Sequence, residues 1–378
     1  MILTDEQILI QETARKFAQE RLAPNSAQWE RDAAFPPGIF KELGDLGFMG
    51  VTVPTEWGGA GADNVAYSLV LQEIAAGDGA LATVVSGHNS VGVMPVLQLG
   101  TEAQKERYVR GMARGAKLTA FCLTEPQGGS DAAAIRTRAE RKGNGWVLNG
   151  TKQFITSGKT ADIALVFAVT DPVAGKRGIS AFLVDTKTPG YIVSRVEKKM
   201  GQNASDTCEI KLENCSIPAD CLLGEEGRGY RIALANLEGG RIGIASQSVG
   251  MARAALEIAV RYAHEREAFG KPIFQHQAVS FRLADMAASL EAARQLTLHA
   301  AALKDAGRPC LTEASMAKLF ASETAERICS DAMQTLGGVG YMQDFAVERL
   351  YRGVRAAKIY EGTNDIQRLV ISRSLTAG

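Results

Sequence analysis

The sequence predicts an α+β fold in three parts: an N-terminal α-helical domain over residues 1–118, a middle antiparallel β domain over 119–224 and a C-terminal four-helix bundle over 225–378. Three observations carry this expectation. Helix caps and helical periodicity fill the first third, and short β-branched apolar runs broken by Gly and Asn fill the middle. Long Ala-rich amphipathic stretches resume after Gly224.

At the N-terminus Thr4 and Gln7 form a capping box, Ile10, Ala14 and Phe17 share one helical face, and Pro24 ends the helix. Gly and Pro around Pro36-Pro37 and from Pro54 to Gly61 separate further short helices. Leu118–Leu123, Trp146–Leu148, Phe154–Thr156, Ile163–Val169 and Ile179–Val184 read as strands, with Gly143-Asn144-Gly145 and Asn149-Gly150 as hairpin turns. Asp206–Leu212 alternates with period two, as a half-exposed strand does. Helices then run over about 241–265, 278–306 and 312–336, completed into a bundle by the C-terminal segments. Thr363 caps a last helix whose Ile366, Leu369 and Val370 fall on one face expected to be buried.

Bulk properties narrow the function. The 42 basic and 42 acidic residues cancel, so nothing points to electrostatic capture of nucleic acid or an anionic membrane. No apolar run approaches a transmembrane span, and the start is neither a signal nor a transit peptide, which points to the cytoplasm. The six cysteines form no Cys-x-x-Cys pair and read as small core residues; the four histidines lack zinc-site spacing. Gly338-Val339-Gly340 lacks the third glycine of a dinucleotide fingerprint, Gly270-Lys271 runs into Pro272 rather than a Walker A serine, and Ser130 lacks the closing glycine of a nucleophile elbow.

Four segments bear chemistry. Leu123–Asp131 leaves a strand directly and could turn backbone N–H groups and hydroxyls toward a phosphate; it reads equally as a Gly-rich connection. Phe154 and Thr156, two apart on a strand, could back a planar heterocycle or pack in the core. Arg266 and Phe269 could bind a phosphate and stack a base, or form part of a solvated charge cluster. Glu361, between Tyr360 and Gly362 just before the last helix, is either a carboxylate tuned to act as a base or a solvated glutamate at a helix N-terminus.

Together these segments resemble the acyl-CoA dehydrogenase family over essentially the whole chain. Leu123–Asp131, Gln334–Tyr341 and Tyr360-Glu361-Gly362-Thr363 are similar to three of its motifs, in family order and spacing. The resemblance implies FAD binding without a Rossmann motif, a homotetramer, oxidation of a fatty acyl-CoA to the trans-2-enoyl-CoA, and electron transfer to an electron-transfer flavoprotein. Phe121, Leu123, Thr124, Gly129 and Ser130 are then expected to hold the flavin and its pyrophosphate, with Phe154 and Thr156 against the isoalloxazine. Arg266, Phe269, Gln277, Gln334, Gly337 and Gly338 are expected to reach the FAD of a neighbouring subunit, and Thr363 and Asp365 to add a contact. Ser130, Glu238, Arg241, Tyr360 and Gly362 are expected on the acyl-CoA side.

Glu361 falls on the family's base, removing the α-proton while the β-hydrogen leaves as hydride to flavin N5. Some relatives carry the base immediately before the arginine of a bundle helix. Here that position is Gly240, followed by Arg241, which leaves the role to Glu361. Between Gly79 and Gly100, where the resemblance places the end of the acyl chain, there is no Asp, Glu, Lys or Arg, so the pocket reads as uncharged and disfavours dicarboxylates. This composition does not read out chain length, and straight or branched short-to-medium acyl groups are the default expectation. Two departures stand out: Arg352-Gly353 where the family has Arg-Asp, and Phe154 in place of a frequent tryptophan. An acyl-CoA oxidase and a flavin-free helical scaffold are the alternatives.

Overall fold

Capping sets the start of the molecule. In the computed structural model, which describes residues 1–376, α1 (Asp5–Phe17) opens with the Thr4–Gln7 capping box and runs through a π-helical turn (Ala18–Leu22) to the turn at Pro24. Short helices α2 (Ser26–Asp32) and α3 (Ile39–Asp45) follow. They lead to α4 (Asn64–Gly77), α5 (Gly79–Gly87), α6 (Met94–Leu99) and α7 (Glu102–Ala113). Asp63 and Asp78 cap α4 and α5 by accepting from Ala66 N–H and Leu81 N–H.

The stretch Gly79–Leu99 corrects one expectation: it is long and apolar enough to cross a membrane by length and composition alone. Here it is interior, with 83% of its most apolar window buried, so it serves as a core segment of the helical layer. Its one imidazole, His88, is buried between Thr119 Oγ1 (3.1 Å) and the Met112 carbonyl (3.0 Å), and burial holds it neutral by lowering its pKa to about 4.

The middle of the chain forms β1 (Thr119–Cys122), β2 (Arg138–Lys142), β3 (Gly145–Thr156), β4 (Ile163–Val169), β5 (Ile179–Asp185), β6 (Tyr191–Val196), β7 (Thr207–Pro218) and β8 (Leu222–Leu223). The order is β6-β7-β3-β2-β4-β5-β8, with β1 added on β4. The expectation of an all-antiparallel sheet needs amendment. β1 pairs with β4 in parallel and β2 touches β4 through one parallel pair, while the remaining pairings are antiparallel. The parallel pair arises because β1 enters from the N-terminal helices and its partner follows only after the β2–β3 hairpin.

Strand β4 is buried on both faces. Val166 packs with Trp146, Phe182 and Ile210, whereas Leu165 and Phe167 pack with Val109, Met112 and Ile232 from the flanking helices. This accounts for its unbroken apolar run. The turn at 143–145 joins β2 to β3 as expected, but Asn149-Gly150 is not a hairpin. It lies inside the 12-residue β3 at a bulge, where Gly150 adopts φ +154° and a Cβ would approach Thr137 Oγ1 to 2.4 Å.

After α8 (Gly229–Ala235) come α9 (Leu237–Glu265), a two-stranded ribbon β9 (Glu267–Ala268) and β10 (Lys271–Pro272), then α10 (Gln277–Asp305) and α11 (Leu311–Leu336). The chain closes with α12 (Ala346–Val354) and α13 (Asn364–Leu375). Small residues let α9 pass close to its neighbours: a Cβ on Gly243 would meet Ser86 Oγ at 2.1 Å, and one on Gly250 the Gln72 carbonyl at 2.1 Å. Buried Glu73 ties the helical layers together, accepting from Arg253 of α9 and Arg15 of α1.

The last helix departs from its apolar pattern. Leu369 is 43% exposed and Ile366 and Val370 are half-buried, while Asn364 and Gln367 are the buried residues. Hydrogen bonding to the preceding turn, rather than apolar burial, orients α13.

Candidate active site

Glu361 sits in the turn between α12 and α13 with φ +53°, a left-handed backbone that a non-glycine residue holds only when its surroundings impose it. The surroundings are on three sides. Gln367 Nε2 donates to the carbonyls of Glu361 (3.3 Å) and Gly362 (2.8 Å). Lys318 Nζ of α11 donates to the Gly362 carbonyl at 2.8 Å and to Asn364 Oδ1 at 2.9 Å, and Asn364 Nδ2 donates to Ser322 Oγ at 3.1 Å. Thr363 caps α13, its hydroxyl accepting from Ile366 N–H. The Glu361 N–H itself finds no acceptor among the described residues.

The side chain is turned into the protein. Oε2 is buried without a hydrogen-bond partner, next to α9. A Cβ built on Gly240 would lie 2.3 Å from that oxygen and 2.9 Å from Cδ, so only glycine leaves room for this carboxylate. Gly240 and the Glu361 carboxylate therefore compete for the same space beside α9. Burial pushes the Glu361 pKa up to about 7, against the opposing pull of Arg241 and Lys318. A carboxylate of this kind gains basicity while still ionising near neutral pH.

Arg241 is interior, 5% exposed, with Nη1 donating to Ser315 Oγ at 3.1 Å and its buried Nε unpaired. Its charge faces Glu361 and Glu238. Glu238, in the first turn of α9, is half-buried and receives a long contact from Cys310 Sγ at 3.7 Å. A cleft of about 320 Å³ opens beside this first turn, lined by Asn236, Gly239, Ser90, Tyr67 and Lys304 among others.

A second group surrounds the β1–β2 loop. Glu125 is almost fully buried, and its carboxylate accepts from Lys152 Nζ (2.7 Å), Arg136 N–H (2.6 Å) and Thr137 N–H (3.0 Å). Burial alone would raise its pKa, but Lys152 and these donors outweigh it and hold the carboxyl below its usual range. Gln153 N–H adds a bond to the Thr124 carbonyl. The loop is thus bolted to β3 from within, leaving Gly129 and Ser130 exposed.

Phe154 protrudes beside this loop, 60% exposed at φ +57°, and Thr156 lies on the same side of β3 with buried Ile155 between them. The bulge between Lys152 and Ile155, not plain alternation, turns Phe154 outward. Two expectations change in detail. The Leu123 side chain is core, with only its main chain facing the loop, and Phe121 packs on Phe167 at 4.9 Å between centroids.

The third group lies at one end of the bundle, on the β9–β10 turn, the start of α10 and the end of α11. Phe269 is 96% exposed, and Arg266, Gln277, Gln334, Gly337 and Gly338 are also exposed. Arg282 Nη1 of α10 reaches Thr335 Oγ1 near the end of α11. Asp365 is exposed at the start of α13 and pairs with Arg368.

Lys318, Gln367, Asn364, Lys152 and Glu125 are site-forming residues that the sequence reading did not single out. For Lys318 a signal existed, since it lies on the buried face of α11 among Ala314, Ala317, Ala321 and Ala325. The Arg352-Gly353 departure also finds its account. Arg352 pairs with Glu348 (2.7 Å) and Glu30 (2.9 Å), and a Cβ at 353 would come within 2.9 Å of Met251 Cε.

Comparison with known proteins follows the same three-part plan. Residues 4–116, 120–215 and 227–376 match the N-terminal, middle and C-terminal domains of acyl-CoA dehydrogenase. The chain is 49% identical over 378 residues to an acyl-CoA dehydrogenase of Bacillus subtilis, covering all of both chains. It is 47% identical to the mitochondrial short-chain specific acyl-CoA dehydrogenase of Homo sapiens, over 98% of this chain and 89% of that protein. The structure of butyryl-CoA dehydrogenase from Megasphaera elsdenii superposes with a TM-score of 0.97 at 40% identity, covering 100% and 99% of the two chains.

Fold and comparisons together define an FAD-dependent oxidoreductase that acts on a CH–CH bond. The chain belongs to the acyl-CoA dehydrogenase family. Its surface fits the cofactor: an internally braced loop with exposed Gly129 and Ser130 suits a pyrophosphate, and an exposed aromatic ring on a strained backbone suits a flavin ring.

Gly240 offers a direct test of the carboxylate's placement. Gly240→Ala should leave stability within about 1 kcal/mol, because the flexible Glu361 tip can yield. The displaced carboxylate should lower kcat on the order of 10²-fold with flavin content unchanged. Thermal unfolding and steady-state kinetics on the same preparation read both.

Proposed function

We propose that the protein oxidises short-chain acyl-CoA thioesters to trans-2-enoyl-CoA, with Glu361 as the base. The observation that carries this reading is the buried, unpartnered carboxylate of Glu361 beside a glycine that makes room for it. Glu361 removes the proton α to the thioester carbonyl. Its own N–H, without an acceptor among the described residues, is available to the carbonyl oxygen as negative charge develops there. Bound FAD supplies the acceptor for the β-hydride, held by the β1–β2 loop with Phe154 and Thr156. Arg241 opposes the pKa rise that burial imposes on the base, and Glu238 and Ser130 border the substrate side.

Chain length is limited by a buried polar lattice. Tyr360 OH donates to Gln247 Oε1 (2.5 Å), Gln247 Nε2 to Thr83 Oγ1 (2.5 Å), Thr83 to Gln202 Oε1 (2.6 Å), and Gln202 Nε2 to the Gly353 carbonyl (2.7 Å). Gln247 follows Gly240 by two helical turns, about 10 Å along α9. An acyl chain running from Glu361 along α9 meets these groups early, and inserting methylenes among them would break satisfied buried hydrogen bonds. The names of the short-chain and butyryl-CoA relatives agree with this reading.

Electrons pass to an electron-transfer flavoprotein in this scheme. The exposed Phe269, Phe281 and Tyr341 near one end of the bundle support closure by other copies in a homotetramer. Six unpaired, buried thiols suit a reducing cytoplasm. Anaerobic titration of the yellow protein with straight-chain acyl-CoA thioesters tests the reading. Butyryl-CoA should bleach the flavin most completely, with kcat/KM falling at least about tenfold for octanoyl-CoA. Failure of every acyl-CoA to bleach would sink the proposal, and rapid peroxide formation in air would reassign the protein as an oxidase.

A further inference from the structure

Lys318 is the most deeply buried cation outside the sheet: its side chain is 0% exposed on the inner face of α11. A lysine rarely occupies such a place unless its ammonium is engaged. Both of its recorded acceptors belong to the turn that carries Glu361. They are the Gly362 carbonyl, one residue after the base, and Asn364 Oδ1, the first residue of α13. Among the described residues no carboxylate lies within ion-pairing distance of it.

We propose that Lys318 is a positioning residue for the base: its ammonium clamps the 362–364 turn and supplies positive charge behind the Glu361 carboxylate. This rests on the assignment of Glu361 as base and adds a residue that holds it in place.

The geometry gives the clamp two functions. Glu361 is kept in a left-handed backbone conformation that its own side chain disfavours, and the carbonyl immediately following is pinned by Lys318 and Gln367 together. Loss of the Lys318 bond frees one side of that restraint. The charge acts separately. Glu361 feels Arg241 from α9 and Lys318 from α11. Lys318 in turn feels Glu361, Arg241 and Glu323 of its own helix, while Glu238 acts on Arg241, and Tyr67 of α4 and Tyr360 feel Glu361. Burial lowers the Lys318 pKa to about 7, and the negative charge of Glu361 raises it, so ionisation of either group favours ionisation of the other.

The experiment measures flavin reduction by butyryl-CoA from pH 5.5 to 9 for wild type, Lys318→Met, Asn364→Ala and Glu361→Gln, each checked for flavin content. Lys318→Met should move the acid limb of kcat/KM upward by about one pH unit, as loss of a nearby opposite charge requires. It should also lower kcat with KM within about twofold of wild type. Asn364→Ala keeps the cation but removes one anchor; its kcat should fall about fivefold or more with the acid limb unmoved. A flavin-replete Lys318→Met whose pH profile overlays wild type, merely with a lower melting temperature, would show a structural lysine and overturn the proposal. Should Lys318→Met not retain flavin, Asn364→Ala decides: wild-type kcat there overturns the positioning role. Normal bleaching by Glu361→Gln would instead defeat the assignment of the base itself, whereas an inert Glu361→Gln beside an unshifted Lys318→Met defeats only the role of Lys318.

Discussion

Glu361→Gln should bind acyl-CoA and retain FAD yet reduce its flavin about 10³-fold more slowly or worse, the range a positioned general base contributes. Stopped-flow bleaching under anaerobic conditions measures the rate, and the spectral shift on adding ligand measures binding. The pH dependence follows from the same group. Burial raises the Glu361 pKa to about 7, so in wild type kcat/KM should drop tenfold per unit below that pH and level off above it.

Stability moves the other way. A raised carboxyl pKa gives stability that is complete below the unfolded value of 4.5 and is lost as pH rises through about 7. That loss amounts to about 3 kcal/mol for a shift of this size. Glu361→Gln, which never ionises, should therefore unfold at higher denaturant concentration than wild type at pH 8 and show little difference at pH 4.5. Equal midpoints at pH 8 would mean that the carboxylate is not held at a cost.

Lys152→Met should destabilise the middle sheet by about 3–5 kcal/mol, because it leaves the buried Glu125 carboxylate without its cation. Denaturant unfolding followed by tryptophan emission suits the test, since Trp146 lies in the same core. Glu125→Gln combined with Lys152→Met should recover part of the loss and no more. The uncharged amide removes the orphaned charge, but the N–H groups of Arg136 and Thr137, which now share one carboxylate, meet a weaker acceptor. Flavin affinity should fall with Lys152→Met alone, as the β1–β2 loop loses its internal brace. A single variant as stable as wild type would show that the pair is dispensable to the loop.

Much of the fold was legible because its signals are local. The Thr4–Gln7 capping box, the Gly143–Gly145 turn and the three long bundle helices depend on residues within a few positions of one another. The errors came where a distant partner overrides a local preference. Asn149-Gly150 has hairpin chemistry but sits in mid-strand, because β7 pairs along the whole length of β3 and a bulge absorbs the glycine. The apolar spacing of Ile366, Leu369 and Val370 pointed to burial, yet the turn before α13 draws Asn364 and Gln367 inward to satisfy its carbonyls and Lys318. Gly79–Leu99 had an interior composition, but only the surrounding helices distinguish a core segment from a spanning one.

By itself the sequence determined the order of helix, sheet and helix, the family, and Glu361 as the carboxylate in question, since each is written in residues adjacent along the chain. Tertiary structure decided what surrounds that carboxylate and tunes it. Gly240 opens its space from 121 residues away, Lys318 grips the turn from 44 positions upstream, and burial raises its pKa. Desolvation and hydrogen bonding between distant residues leave no period in a sequence; they exist only once the chain has closed around them.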